Sequence, residues 1–290
     1  MSMAATPLRE MSAAQFLAQE HKRVTLMGMS GVGKTTLARV LPKSAWFHYS
    51  ADYRIGTRYL DEPILDNIKK MAMQVPFLAE LLRSDSIYIC HNITVENLSP
   101  ISTFLGMVGN PTLGGLSLEE FKRRLALHRD AEIRAMYDVR DFIHKARDIY
   151  GYAHFLHDAS GSLCELDDEA TWARLAEDTI IVYLRAPEAM REELVRRAIA
   201  HPKPLYYQAR FLDEALAEYM SEKDLTSTAL IDPADFVRWV FPRLVAHRLP
   251  LYQYIADHYG VTVDASRVTD VHDEADFLNL IAEALDARRS

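Results

Sequence analysis

The stretch Leu26-Met27-Gly28-Met29-Ser30-Gly31-Val32-Gly33-Lys34-Thr35-Thr36-Leu37-Ala38-Arg39-Val40-Leu41 decides how the rest of the chain is read. From Gly28 to Thr35 it fits G-x-x-x-x-G-K-[ST] at every fixed position. A β-rich run, Arg23 to Met27, precedes it, and a helical pattern from Thr36 to Leu41 follows before Pro42. That context is the one in which glycines turn loop N–H groups inward toward phosphates and a helix start adds positive potential. The reading therefore expects ATP, held by Ser30, Gly31, Val32, Gly33, Lys34, Thr35 and Thr36. Lys34 would reach the β- and γ-phosphates, and the Thr35 hydroxyl would ligate Mg²⁺.

Working outward, 290 residues suit one large or two small domains. Hydrophobic residues make up 49% and charged residues 26%, which is the balance of a globular chain rather than a disordered one. No apolar run reaches the length of a membrane span, and no signal-peptide core is seen near the N-terminus. With Cys90 and Cys164 as the only cysteines, a disulfide framework is not expected and the cytoplasm is the expected compartment. The net charge of −8 argues against a protein that tracks nucleic-acid backbone. The sequons at Asn92 and Asn97 are then chance matches.

Strand patterns recur at Ser44 to Tyr49, Tyr152 to His157, Thr179 to Leu184 and Val261 to Val263, separated by helical stretches. A short helix is expected from Ala13 to Glu20 and a closing one from Glu274 to Ala287. The fold class is a doubly wound α/β domain with a mainly parallel sheet of the P-loop NTPase type. Residues 1–20 read as a tail with a short helix, and 21–290 as one kinase-like domain. Within it, 61–150 is a mostly helical insertion and 187–247 a helical lid and extension. One β-like interruption is expected at Ile87 to Cys90. Ser117 to Glu120 supplies a capping box for a long helix toward Gly151. Its apolar positions Leu118, Phe121, Leu125, Ile133, Val139 and Ile143 would serve a core or a partner face.

Three stretches fall at the carboxyl ends of the strands, where such folds bind ligands. Asp52, after the second strand, can hydrogen-bond a substrate hydroxyl and act as its base; its structural alternative is a turn aspartate. Asp158 ends an apolar strand and suits a magnesium ligand, against the alternative of a helix cap. His154 and His157 lie three apart on a strand and point to opposite faces, so they do not form a metal pair. Arg196, Arg197 and Arg210 follow the fourth strand as candidates for neutralising a transferring phosphoryl group. Their alternative is a solvated helix face paired at i,i+4, for example Glu192 with Arg196.

Arg248-Leu249-Pro250-Leu251-Tyr252 followed by Val261-Thr262-Val263-Asp264 resembles the C-terminal motif of shikimate kinases. The phosphate loop and Ser50-Ala51-Asp52-Tyr53-Arg54-Ile55 resemble that family's first two motifs. The resemblance covers roughly Arg23 to Arg58 and Thr179 to Ala287. It implies that Asp52, Arg58 and Arg248 face the acceptor and that Arg196 and Arg197 face the nucleotide. Two departures lie on the acceptor side: Asp158-Ala159-Ser160-Gly161-Ser162 stands where the family has three glycines, and the central insertion is absent from it. The expected activity is transfer of the ATP γ-phosphate to a hydroxyl of a small anionic metabolite other than shikimate. A nucleotide-dependent regulatory ATPase whose insertion binds a protein partner is the alternative. A kinase acting on nucleic-acid ends is disfavoured by the acidic balance.

Overall fold

The computed structural model describes residues 8–289, so the first seven residues of the expected 1–20 tail lie outside the described residues. The strands are β1 (Arg23–Met27), β2 (Trp46–Ser50), β3 (His154–Asp158), β4 (Ile180–Arg185) and β5 (Gly260–Asp264). The helices in the first half are α1 (Ala13–Leu17), α2 (Lys34–Val40), α3 (Ala51–Arg54), α4 (Asp61–Ala72), α5 (Pro76–Arg83), α6 (Ser99–Leu105) and α7 (Leu118–Asp148). Those in the second half are α8 (Glu169–Asp178), α9 (Glu188–Ala200), α10 (Ala209–Glu222), α11 (Pro233–Tyr259) and α12 (Glu274–Arg289). The chain forms two compact units. One comprises the chain up to Ala51, Ile133–Ala200 and Phe241 onward; the other comprises Asp52–Glu132 and His201–Val240.

The first unit is built on a sheet of order β2-β3-β1-β4-β5 in which every pair is parallel. Such a sheet must be covered on both faces, and β1 and β4 are accordingly buried along nearly their whole length. Phe47 stacks on Phe155 at 5.7 Å, and Tyr49 meets Phe142 of α7 at 4.9 Å with its hydroxyl donating to the Ala135 carbonyl. Trp46 packs edge-on against Phe277 of α12. Val139 and Ile143 of α7 are likewise buried. Core therefore accounts for the apolar pattern of this part of the helix. His154 accepts a hydrogen bond from the Lys22 amide and His157 pairs with Thr25, so both act as strand residues rather than as metal ligands.

The second unit is helical. Phe121 and Leu125 are buried in it, and Arg124 reaches Asn67 and the Phe104 carbonyl while pairing with Glu120. Those bonds engage the Glu120 carboxylate with Arg123 and Arg124, while Ser117 still accepts from the Glu120 amide. One expectation is corrected: Ile87 to Cys90 is not a strand. The alternation is present, but among the described residues no strand pairs with it, and an unpartnered extended segment cannot satisfy its backbone groups internally. Residues Ile55–Tyr59 form one π-turn, closed by the Leu60 amide donating to the Ile55 carbonyl at 2.8 Å.

Candidate functional site: the phosphate loop and its carboxylate

β1 delivers the chain to the loop, and α2 takes it away at Lys34. Between them Gly28 and Gly33 have φ of 151° and 107°, where side chains are strained. Space also forbids a side chain: a Cβ at Gly33 would lie 2.7 Å from Val268, and one at Gly28 would lie 2.9 Å from the Leu184 carbonyl oxygen. Ser30, Gly31, Thr35 and Thr36 are exposed at the loop surface, whereas Val32 is buried beneath it. Lys34 is only 8% exposed, and its ammonium donates to the carbonyls of Gly28 (2.8 Å) and Met29 (3.2 Å).

Asp158 ends β3, in register with Leu26 of β1 on one side and Ser50 of β2 on the other. The Thr35 hydroxyl donates to its Oδ2 at 3.1 Å, and His48 Nε2 lies 3.8 Å from the same oxygen. Burial works to raise the Asp158 pKa, but His48, Lys34 and Thr35 outweigh it and hold the group below the usual carboxylate range. Next to it, burial pushes the His157 imidazole down to about 3, so this ring is neutral. The site thus brings an ionised carboxylate and an ammonium together at the phosphate loop.

The turn after β3 is pinned from α11. Arg248 donates from Nε to Glu165 at 2.8 Å and from Nη1 to the Gly161 carbonyl at 3.1 Å, and its Nη2 lies 2.5 Å from Glu165. Tyr252 donates to the same Gly161 carbonyl at 2.6 Å. A Cβ on Gly161 would sit 3.3 Å from the Ser30 amide, so this turn abuts the phosphate loop. Glu165 is fully buried. Sequence reasoning missed it, because a single acid in Leu163-Cys164-Glu165-Leu166 carries no spacing signal. His48 was also missed, although its place on β2 beside the Asp158 strand could have been inferred from strand order.

The remaining candidates fall as follows. Arg196 and Arg197 are exposed on α9, both paired with Glu193 rather than with Glu192. Arg210 is exposed and paired with Glu214. Asp52 and Arg58 belong to the second unit, the first half-buried and the second exposed. Among the described residues no group of three or more metal-ligating side chains occurs. Nor is any helix long and apolar enough to cross a membrane.

A parallel sheet with the phosphate-loop strand at its centre, and the carboxylate strand directly beside it, defines an α/β fold of the P-loop NTPase type. No family model matches the chain, and no curated protein matches it. Among solved structures, it is similar to a shikimate kinase from Bacteroides thetaiotaomicron at 13% identity and a TM-score of 0.38, over 93% of this chain and 99% of that one.

Proposed function

We propose that the chain is a phosphotransferase that moves the γ-phosphate of ATP to a hydroxyl of a small anionic molecule. The observation that most supports this is the Thr35–Asp158 pair at 3.1 Å beside the buried Lys34. A hydroxyl and an ionised carboxylate are the hard oxygen donors that suit Mg²⁺, so these two residues fit the ion and would hold it. Bound there, Mg²⁺ would supply charge neutralisation for the β- and γ-phosphate oxygens. Lys34 would exchange its loop carbonyls for phosphate oxygens, and the amides of Ser30 to Thr36 would orient the chain of phosphates. Asp52, two residues beyond β2, is assigned the acceptor hydroxyl and its proton on its place in the chain. Arg58 is assigned the acceptor's negative charge, and Arg196 and Arg197 the nucleotide side. Arg248, with its guanidinium engaged by Glu165 and Gly161, is assigned to positioning the turn beside the loop.

The test is a screen of hydroxyl-bearing metabolites with ATP, read by mass of the product. A phosphorylated acceptor supports the kinase; ATP hydrolysis with no acceptor, coupled to altered binding of a protein, supports the regulatory ATPase instead. The exposed Met71, Phe77 and Tyr88 of the second unit are what favour that second reading.

Two variants sharpen the assignment. Asp158→Asn keeps shape but removes the charge, so the magnesium concentration needed for half-maximal turnover should rise about tenfold or more. Because the Asp158 pKa is lowered, its charge and its share of stability persist above the ordinary carboxylate pKa and are lost only as pH falls through the lower folded value. A flat magnesium requirement between pH 5 and 8 is therefore expected for the parent protein. Asp52→Asn should lower kcat about a hundredfold with ATP binding unchanged, if the carboxylate takes the acceptor proton. Steady-state kinetics with the acceptor found in the screen checks it, and an unaltered kcat removes Asp52 from the reaction.

A further inference from the structure

A cavity of about 480 Å³ lies between α11 and the ends of β4 and β5, at the same carboxyl-terminal end of the sheet as the phosphate loop. The opposite end of the sheet is different. There, at the amino-terminal ends of β1 and β3, a cavity of about 230 Å³ has Lys22, Arg23, His144, Arg147, Tyr152 and Phe155 among its lining residues. Arg23 is the first residue of β1, whose last residue leads into the phosphate loop. Five residues of strand, roughly 16 Å, separate the two ends.

Charge around this cavity is unevenly matched. Arg147 is held by its neighbour Asp148, and His154 lies 3.7 Å from Glu274. Asp178, the carboxylate nearest in effect to Arg23, takes two hydrogen bonds from Arg140 at 2.9 and 2.8 Å. Arg23 itself makes no hydrogen bond or ion pair through its guanidinium among the described residues. Burial lowers its pKa, and Arg147 and Arg140 lower it further while Asp178 opposes them. Its N–H groups are not among the buried side-chain atoms left without a partner, so water reaches them in the cavity. An oxyanion entering the cavity would replace that water with two parallel acceptors.

We infer that this cavity is a second anion site, remote from the phosphate loop, which takes a small phosphate-bearing molecule on Arg23 and Arg147, beside a Lys22 whose ammonium is held by the Gln19 carbonyl at 2.8 Å. The Tyr152 and Phe155 wall accepts the uncharged part of a phosphate ester. The inference stands apart from the kinase reading, since none of these residues belongs to the phosphate loop.

The test uses the full chain carrying Lys34→Ala, so that the phosphate loop does not supply the signal. It is titrated calorimetrically without magnesium, at physiological ionic strength, with orthophosphate and with glycerol phosphate. The expected result is one saturable site, weakened at least tenfold by Arg23→Gln and about threefold by Arg147→Gln. Tighter binding of glycerol phosphate assigns an ester; equal binding of the two assigns inorganic phosphate. Absence of saturable binding to either probe, or binding unchanged by both substitutions, overturns the site. Should Arg23→Gln fail to fold, Arg147→Gln decides, because Arg147 is half exposed and its bonds go to the adjacent Asp148.

Discussion

Lys34→Ala is expected to reduce turnover about a thousandfold or more, equivalent to roughly 4 kcal/mol of transition-state stabilisation. The reason is local. In this structure the ammonium is buried and held by the Gly28 and Met29 carbonyls, inside the loop it must neutralise. No other lysine lies in the loop, so nothing there replaces its charge. The fold should survive, because β1 and α2 are anchored by Val24, Leu26, Met27 and Leu37 rather than by Lys34. Product formation and a melting curve measured on the same preparation check both halves. Parental rates in the variant would remove the phosphate loop from the reaction, and gross unfolding would show that the two carbonyl contacts are structural.

The loop and its sheet were readable because their signals are local. Glycine spacing, a short β-prone run and a following helix occupy consecutive positions, so the motif at Gly28 to Thr35 and the strand before it could be read together. Asp158 was readable for the same reason, as the polar end of Phe155-Leu156-His157. What the sequence could not reveal depends on contacts distant along the chain. Glu165 meets Arg248 across 83 positions, and Thr35 meets Asp158 across 123. Arg23 looked like the ordinary start of a strand, and its lack of a hydrogen-bonded carboxylate becomes visible only once Asp178 is seen engaged by Arg140. The false strand at Ile87 to Cys90 failed in the opposite direction: its local pattern was correct, but no neighbouring strand was available to pair with it. The same limit applies to Arg196 and Arg197. Their sequence allowed a lid or a solvated face, and both guanidiniums lie at the surface beside Glu193.

Arg248→Met should cost about 3–5 kcal/mol of stability, the range for removing one partner of a buried ion pair. Glu165 is fully buried, and Arg248 contributes both of the short contacts to its Oε2. Removing the guanidinium leaves the carboxylate in a low-dielectric setting, with the His247 imidazole 3.8 Å away. At this chain size such a loss lowers Tm by on the order of 10 °C. Restoring neutrality should recover much of it, so the double variant Glu165→Gln with Arg248→Met is expected to melt above Arg248→Met alone. That ordering separates a pair effect from simple loss of packing, since the double variant lacks the same side-chain volume. A functional consequence accompanies it. Arg248 and Tyr252 share the Gly161 carbonyl, and Gly161 abuts Ser30, so the loosened turn should weaken ATP binding several-fold even where the protein is fully folded. A residue that only clamped the acceptor would behave otherwise: the acceptor KM would rise, while Tm and ATP affinity held. Melting curves and ATP titrations of the single and double variants distinguish the two. An unchanged Tm for Arg248→Met, with a raised acceptor KM, would return Arg248 to the substrate side.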